Sequence, residues 1–192
     1  MSGIYVKTYA EPAINRREAL RYAGCALPTE EVSALLEECI AEAKEQLSYK
    51  VCYGIFPKNG EITSKALEKN LSGCSKVILF AATVGLPFDR LIMKYGKLSP
   101  AKGLIMQAFG AERIEALCDE FCEDIAKELG AQLKPRFSPG YGDLPLSFQR
   151  EIFKVLDCPR KIGLSLNESL LMSPSKSVTA IVGIKDEDQR IY

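Results

Sequence analysis

Val77-Ile78-Leu79-Phe80-Ala81-Ala82-Thr83-Val84 is the stretch that decides the fold. It carries no charge and is bounded by glycines, so it reads as a strand buried on both faces, an interior strand of a sheet. Upstream, Val51 to Phe56 reads as a second strand that stops at the turn Pro57-Lys58-Asn59-Gly60, and Ser64 to Leu71 as a short helix between the two. Further upstream, Thr29 caps a helix whose first turn holds Glu30 and Glu31. Its residues Val32, Leu35, Leu36, Cys39, Ile40, Ala43 and Leu47 form one apolar stripe. Asn15 caps a shorter helix that runs to about Ala23 and ends at Gly24.

Downstream, Pro87 opens a helix through Tyr95, and Ser99-Pro100 reads as an N-cap followed by the proline tolerated at the first helical position. From Leu104 to Leu129 the apolar period continues to Gly130, which predicts one long helix with Gly110 as the point where a bend would fall. Gln132 to Phe137 then reads as a strand and Ser138 to Gly142 as a loop, with Asp143 and Pro145 starting an amphipathic helix through Leu156. Ile162 to Leu166 and Ser177 to Ile184 alternate like paired strands. No repeat or linker divides the chain. The expectation is therefore one α+β domain over residues 1–192, a mainly antiparallel sheet flanked by helices.

Composition excludes more than it selects. The 192 residues suffice for one substantial core, and 25 basic against 25 acidic residues leave no field that would draw in nucleic acid or an anionic membrane. No targeting segment or membrane span is legible, so a cytoplasmic protein is expected. Seven cysteines, odd in number and never in a C-x-x-C pair, suit reduced thiols packed as small core residues. There is no histidine. That removes histidine-dependent catalytic triads, histidine-bearing zinc sites and any imidazole ligand for haem or cobalt. Cys118 and Cys122, four apart on the long helix beside Phe121 and Ile125, read as packing, and no metal site or catalytic residue is expected.

The chemistry gathers in Arg136-Phe137-Ser138-Pro139-Gly140-Tyr141. A guanidinium holds a carboxylate through two parallel hydrogen bonds, glycine lets backbone approach a ligand, and a helix expected from about Leu146 turns free N–H groups toward the same loop. The Tyr141 ring offers a face to a sulfonium cation. The same residues also suit a strand end with a surface arginine and a turn, and other amino-acid derivatives would satisfy them. Glu168, beside Ser169, has two readings: a ligand carboxylate, or one satisfied by neighbouring backbone. Ser173 and Lys176 spell S-x-x-K without the companion motifs of that chemistry, a chance match.

These motifs resemble the activation domain of cobalamin-dependent methionine synthase. The family's arginine, two residues, proline-glycine-tyrosine is matched by Arg136, Pro139, Gly140 and Tyr141. Its later segment is matched by Ile162, Gly163, Leu166, Asn167, Glu168, Ser169, Met172, Pro174, Ser177, Val178 and Thr179. The region around Asn15 to Tyr22 looks like small free-standing relatives of that domain. The resemblance implies a methionine synthase activation domain-like fold. It also implies a site for S-adenosylmethionine made by Arg136, Pro139, Gly140, Tyr141, Glu168, Ser169 and, near the C-terminus, Tyr192. By the same resemblance the module docks on the cobalamin-binding domain of methionine synthase or another corrinoid protein, whose cofactor has become cob(II)alamin. A flavodoxin-like donor supplies an electron and S-adenosylmethionine the methyl group. The family's proline-alanine-cysteine-proline run is replaced here by Gly142-Asp143-Leu144-Pro145. That departure motivates an alternative: a non-catalytic cap or chaperone for a corrinoid protein that no longer binds S-adenosylmethionine.

Overall fold

The computed structural model describes residues 3–59 and 63–186. Strand β1 (Ile4–Tyr9) leads through helices α1 (Arg16–Tyr22) and α2 (Glu30–Ala43) to β2 (Tyr49–Pro57), α3 (Lys65–Asn70) and β3 (Cys74–Thr83). Helices α4 (Leu86–Leu98) and α5 (Pro100–Leu129) follow, then α6 (Gln149–Leu156), α7 (Cys158–Ile162), the short strands β4 (Ser165–Leu166) and β5 (Met172–Ser173), and β6 (Ser177–Lys185).

The main sheet has the order β1-β2-β3-β6 and is antiparallel throughout, so the apolar run read first in the sequence lies between two neighbours. Its alternation divides two cores. Ile78, Phe80 and Ala82 face a layer made by α1, α2, α4 and α5, while Val77 and Ala81 face α3, α6 and α7. Period-2 geometry requires this division, and full burial of Ile78, Phe80, Ala81 and Ala82 follows from it. Phe121 of α5 stacks on Phe80 at 4.9 Å and on Tyr53 of β2 at 5.2 Å, fastening the longest helix to the sheet centre. Pairs of this kind add about 0.5–1.5 kcal/mol beyond the area they bury.

Helix ends follow local chemistry in most places. Asn15, Thr29 and Ser64 each accept a backbone N–H three residues on, and Gly130 takes the left-handed conformation that ends α5. Five expectations need correction. Ser99 occupies the cap position of α5 but makes no side-chain cap bond. Leu47 lies beyond α2, which stops at Ala43.

The Gln132–Phe137 segment runs beside β6 yet forms only two isolated bridges, Leu133 to Ile184 and Phe137 to Ile181. Pro135, in its middle, has no N–H to give a ladder. Ser165–Leu166 pairs with Met172–Ser173 in a small hairpin, whereas β6 pairs with β3; Ile162 is the last residue of a helix closed by Gly163 at φ 70°.

Asp143 supplies the most informative correction. It does not cap the helix that follows it. Its carboxylate accepts the Ser64 hydroxyl at 2.5 Å and the N–H groups of Lys65 and Ala66 at 2.8 and 3.1 Å, so it caps α3 across the fold. The neighbouring Gly142, at φ 56°, lies so close that a Cβ there would meet the Ala66 Cβ at 2.8 Å. The loop after Arg136 is thereby tied to the start of α3. Among the described residues no helix is long and apolar enough to cross a membrane.

Candidate functional site

A cavity of about 430 Å³ opens where the 136–141 segment, the start of β6 and helix α5 meet. Arg136, Phe137, Ser138, Pro139 and Tyr141 form one wall, Met172 and Ser177 to Thr179 another, with Glu115 of α5 and Leu146 and Gln149 closing it. Residues about forty apart in sequence thus share one space. The cause is topological: Phe137 exchanges backbone hydrogen bonds of 2.9 and 2.8 Å with Ile181, which lays the first motif along the strand that carries the second.

Arg136 is half-buried, and its guanidinium lies between two carboxylates of α5. Nη2 donates to Glu115 Oε2 at 2.6 Å, while Nη1 lies 2.8 Å from Asp119 Oδ1 without the alignment of a hydrogen bond. The fork is therefore splayed over two acids one helical turn apart, instead of clamping one of them. One arginine against two carboxylates leaves a local excess of negative charge. Burial opposes the Arg136 charge, but the carboxylates of Glu115 and Asp119 beside it outweigh that and its pKa is raised. Burial in turn pushes the Cys118 thiol up, and takes the Cys122 thiol to about 11, so both stay neutral at physiological pH.

Beyond Glu115 the surface becomes a wider groove lined by Glu18, Glu115, Asp119, Glu120 and Glu123 with Lys127. Glu112, also on its wall, is already engaged by Arg113 and the Asn15 N–H.

The loop residues divide by exposure. Pro139 is buried, Gly140 turns the chain at φ 93° against Leu146, and Tyr141 leaves 69% of its surface exposed at the cavity mouth. Glu168 and Ser169 lie elsewhere, exposed in the turn between β4 and β5. The Glu168 backbone carbonyl accepts from Arg150 at 3.1 Å, and neither residue is among those lining the cavity. Tyr192 falls outside the described residues. Ser173 sits in extended backbone, so the S-x-x-K residues do not share a helical turn.

Sequence reasoning missed Gln149, Glu115 and Asp119. Gln149 left a local trace: it occupies the apolar phase of α6 with Ile152, Phe153 and Leu156, a polar residue inside a stripe. Glu115 and Asp119 left none, since a pair of acids four apart on a long helix is an ordinary solvated face until Arg136 arrives from another segment.

Residues 66–191, which include both motifs, match the family described as vitamin B12 dependent methionine synthase, activation domain. No curated protein matches the chain. Among solved structures the chain is similar to the crystal structure of the MetH reactivation domain bound to AdoHcy. The two share 16% identity and a TM-score of 0.73 over 99% of this chain and 80% of that one, a likeness of fold.

Proposed function

The chain belongs to the family of vitamin B12-dependent methionine synthase activation domains, and from that premise we propose that its cavity binds S-adenosylmethionine and presents the methyl group to cobalamin carried by a partner protein. The observation that carries this reading is the cavity that Arg136 to Pro139 and Tyr141 share with Met172 and Ser177 to Thr179. Its volume lies in the range of small-molecule sites, about 300–1,000 Å³.

The residues present fit the ligand by charge and shape. The Arg136 Nη1, which has no aligned acceptor, takes the amino-acid carboxylate once it swings from the exposed Asp119. Glu115, Asp119 and the face of Tyr141 favour the sulfonium and ammonium charges. Gly140 lets the backbone approach without a side chain in the way. The chain contributes binding and orientation: it holds the sulfonium carbon in line for transfer, and the sulfur keeps the bonding electron pair as the methyl leaves. Cobalamin supplies the metal centre that accepts the methyl group, with an electron from a flavodoxin-like donor. The partner is the cobalamin-binding domain of methionine synthase or another corrinoid protein, met in the cytoplasm.

Calorimetric titration with S-adenosylmethionine and S-adenosylhomocysteine tests this directly. Saturable binding of both at one site per chain is the expected result. A second reading, the corrinoid-protein cap that does not bind S-adenosylmethionine, is favoured by one observation: the Arg136 fork already has two carboxylates of its own. Absence of binding by either nucleoside, with the chain folded, would decide for the cap.

A further inference from the structure

We propose that Gln149 is a specificity-determining residue of the cavity, its amide carbonyl accepting a hydrogen bond from an N–H donor of the bound ligand; this deepens the reading of the cavity as a nucleoside–amino acid site and rests on it. Gln149 is the first residue of α6, retains only 4% of its surface exposed and lines the cavity with Arg136, Leu146 and Thr179. Its Oε1 is sealed from solvent and has no hydrogen-bond partner among the described residues.

That combination is costly to a fold and rare in one, because a buried amide oxygen has given up water without a replacement. Packing does not ask for it. Gln149 shares its helical phase with Ile152, Phe153 and Leu156, all buried, and a methionine or leucine would complete that stripe. Nor does helix capping explain it, since its Oε1 accepts no backbone N–H. Gln149 is also part of the cavity wall, so a modest rotation of its amide would bring Oε1 to a ligand that supplies the missing donor.

The chemistry of that donor is constrained by the opposite wall. Arg136 brings only N–H groups and accepts nothing, so it takes the anionic part of a ligand, and Gln149 takes a part that donates. An amino-acid nucleoside has two N–H donors besides its ribose hydroxyls: the α-ammonium and the exocyclic amine of its base. Both present the same N–H chemistry, and a truncated ligand separates them.

The test uses the full chain, two variants and two probes together. Gln149→Met keeps length and removes the amide; Gln149→Leu does so with a different shape. Each is titrated with S-adenosylmethionine and with 5′-methylthioadenosine, which keeps the base amine and lacks the amino acid, and each is melted without ligand.

The expected result has opposite signs. Ligand-free thermal stability is unchanged or higher, because an unsatisfied group has been removed, while affinity for S-adenosylmethionine falls about tenfold. An equal loss for 5′-methylthioadenosine assigns the contact to the nucleoside half, whose N–H donor is the base amine, and loss confined to S-adenosylmethionine assigns it to the ammonium. Wild-type affinity in both variants overturns the assignment. So does a fall in ligand-free stability in both, which would mean that the amide is satisfied within the fold. A wild-type chain that binds neither probe overturns the functional reading itself, and the Gln149 assignment with it.

Discussion

Two arginines meet acids of helix α5, Arg113 from within the helix and Arg136 from another segment, and they differ in what is left over. Arg113 has no exposed side-chain surface. Its Nε and Nη2 donate to Glu112 at 2.6 Å each, Nη1 donates to the Pro12 carbonyl at 2.6 Å and Nη2 to the Ala13 carbonyl at 2.8 Å. It fastens the segment between β1 and α1 to the middle of the long helix. Arg136, against the same helix, makes one aligned hydrogen bond and one close ion pair without hydrogen-bond alignment, beside a cavity. Both carry the same charge among the same kind of acids. A guanidinium whose donors are consumed by the fold is structural, whereas one with a donor to spare beside an open space is available to a ligand.

Breaking the first contact should produce the largest effect. Arg113→Ala leaves the buried Glu112 carboxylate without its counter-charge, and we expect a loss of about 3–5 kcal/mol in unfolding free energy. Urea denaturation followed by circular dichroism measures it. A loss within experimental error of zero would remove the distinction drawn between the two arginines.

Substituting the second arginine sharpens the contrast, because the expected signature is affinity lost with stability kept. Arg136→Lys preserves charge but replaces the planar fork with a single ammonium, so S-adenosylmethionine affinity should fall roughly ten- to hundred-fold, about 1.5–3 kcal/mol. Calorimetry at fixed salt reads the affinity and circular dichroism the fold. An intact variant with unchanged affinity would show that Arg136 does not hold the ligand.

The smallest expected effect concerns the anchor of the Arg136 loop. Hydrogen bonds from the Ser64 hydroxyl and the Ala66 and Lys65 N–H groups hold the Asp143 carboxyl below its ordinary value. A depressed folded-state pKa contributes stability that is fully present above the unfolded value and is lost as pH falls through the folded one. Asp143→Asn should therefore lower the melting midpoint slightly near neutrality, and the difference from the parent chain should shrink from about pH 4 downward. Thermal melts at several pH values test it. A difference that persists unchanged at low pH would contradict the capping role.

Much of the scaffold was legible because its signals are local. The Thr29 cap, the Ser64 helix start, the Gly130 stop and the uncharged run from Val77 to Val84 each depend on side chains within a turn or on a pleat of period two. The strand expected at Gln132–Phe137 was half legible. Its apolar residues reach β6, but Pro135 reduces the pairing to two bridges, and only the neighbouring strand reveals that β6 tolerates so short an edge.

The site divides the same way. Arg136, Pro139, Gly140 and Tyr141 stand out in the sequence as a charge beside a turn, and family resemblance attached a ligand to them. That they share a cavity with Met172 and Thr179, while Glu168 and Ser169 lie away from it, follows from how β6 pairs and where the β4–β5 hairpin projects. Asp143 looked like the cap of its own helix because capping patterns are read along the chain; α3 claims it because its free N–H groups lie closer in space.

By itself, then, the sequence determined most of the helices, several of their ends, the interior strand and the residue types from which a ligand site could be built. Tertiary structure alone decided which acids meet Arg136, which helix Asp143 caps and which amide is buried without a partner. Short-range geometry follows from backbone sterics and side-chain periodicity, while a charge or an amide acquires its role only from neighbours the chain brings back from many residues away.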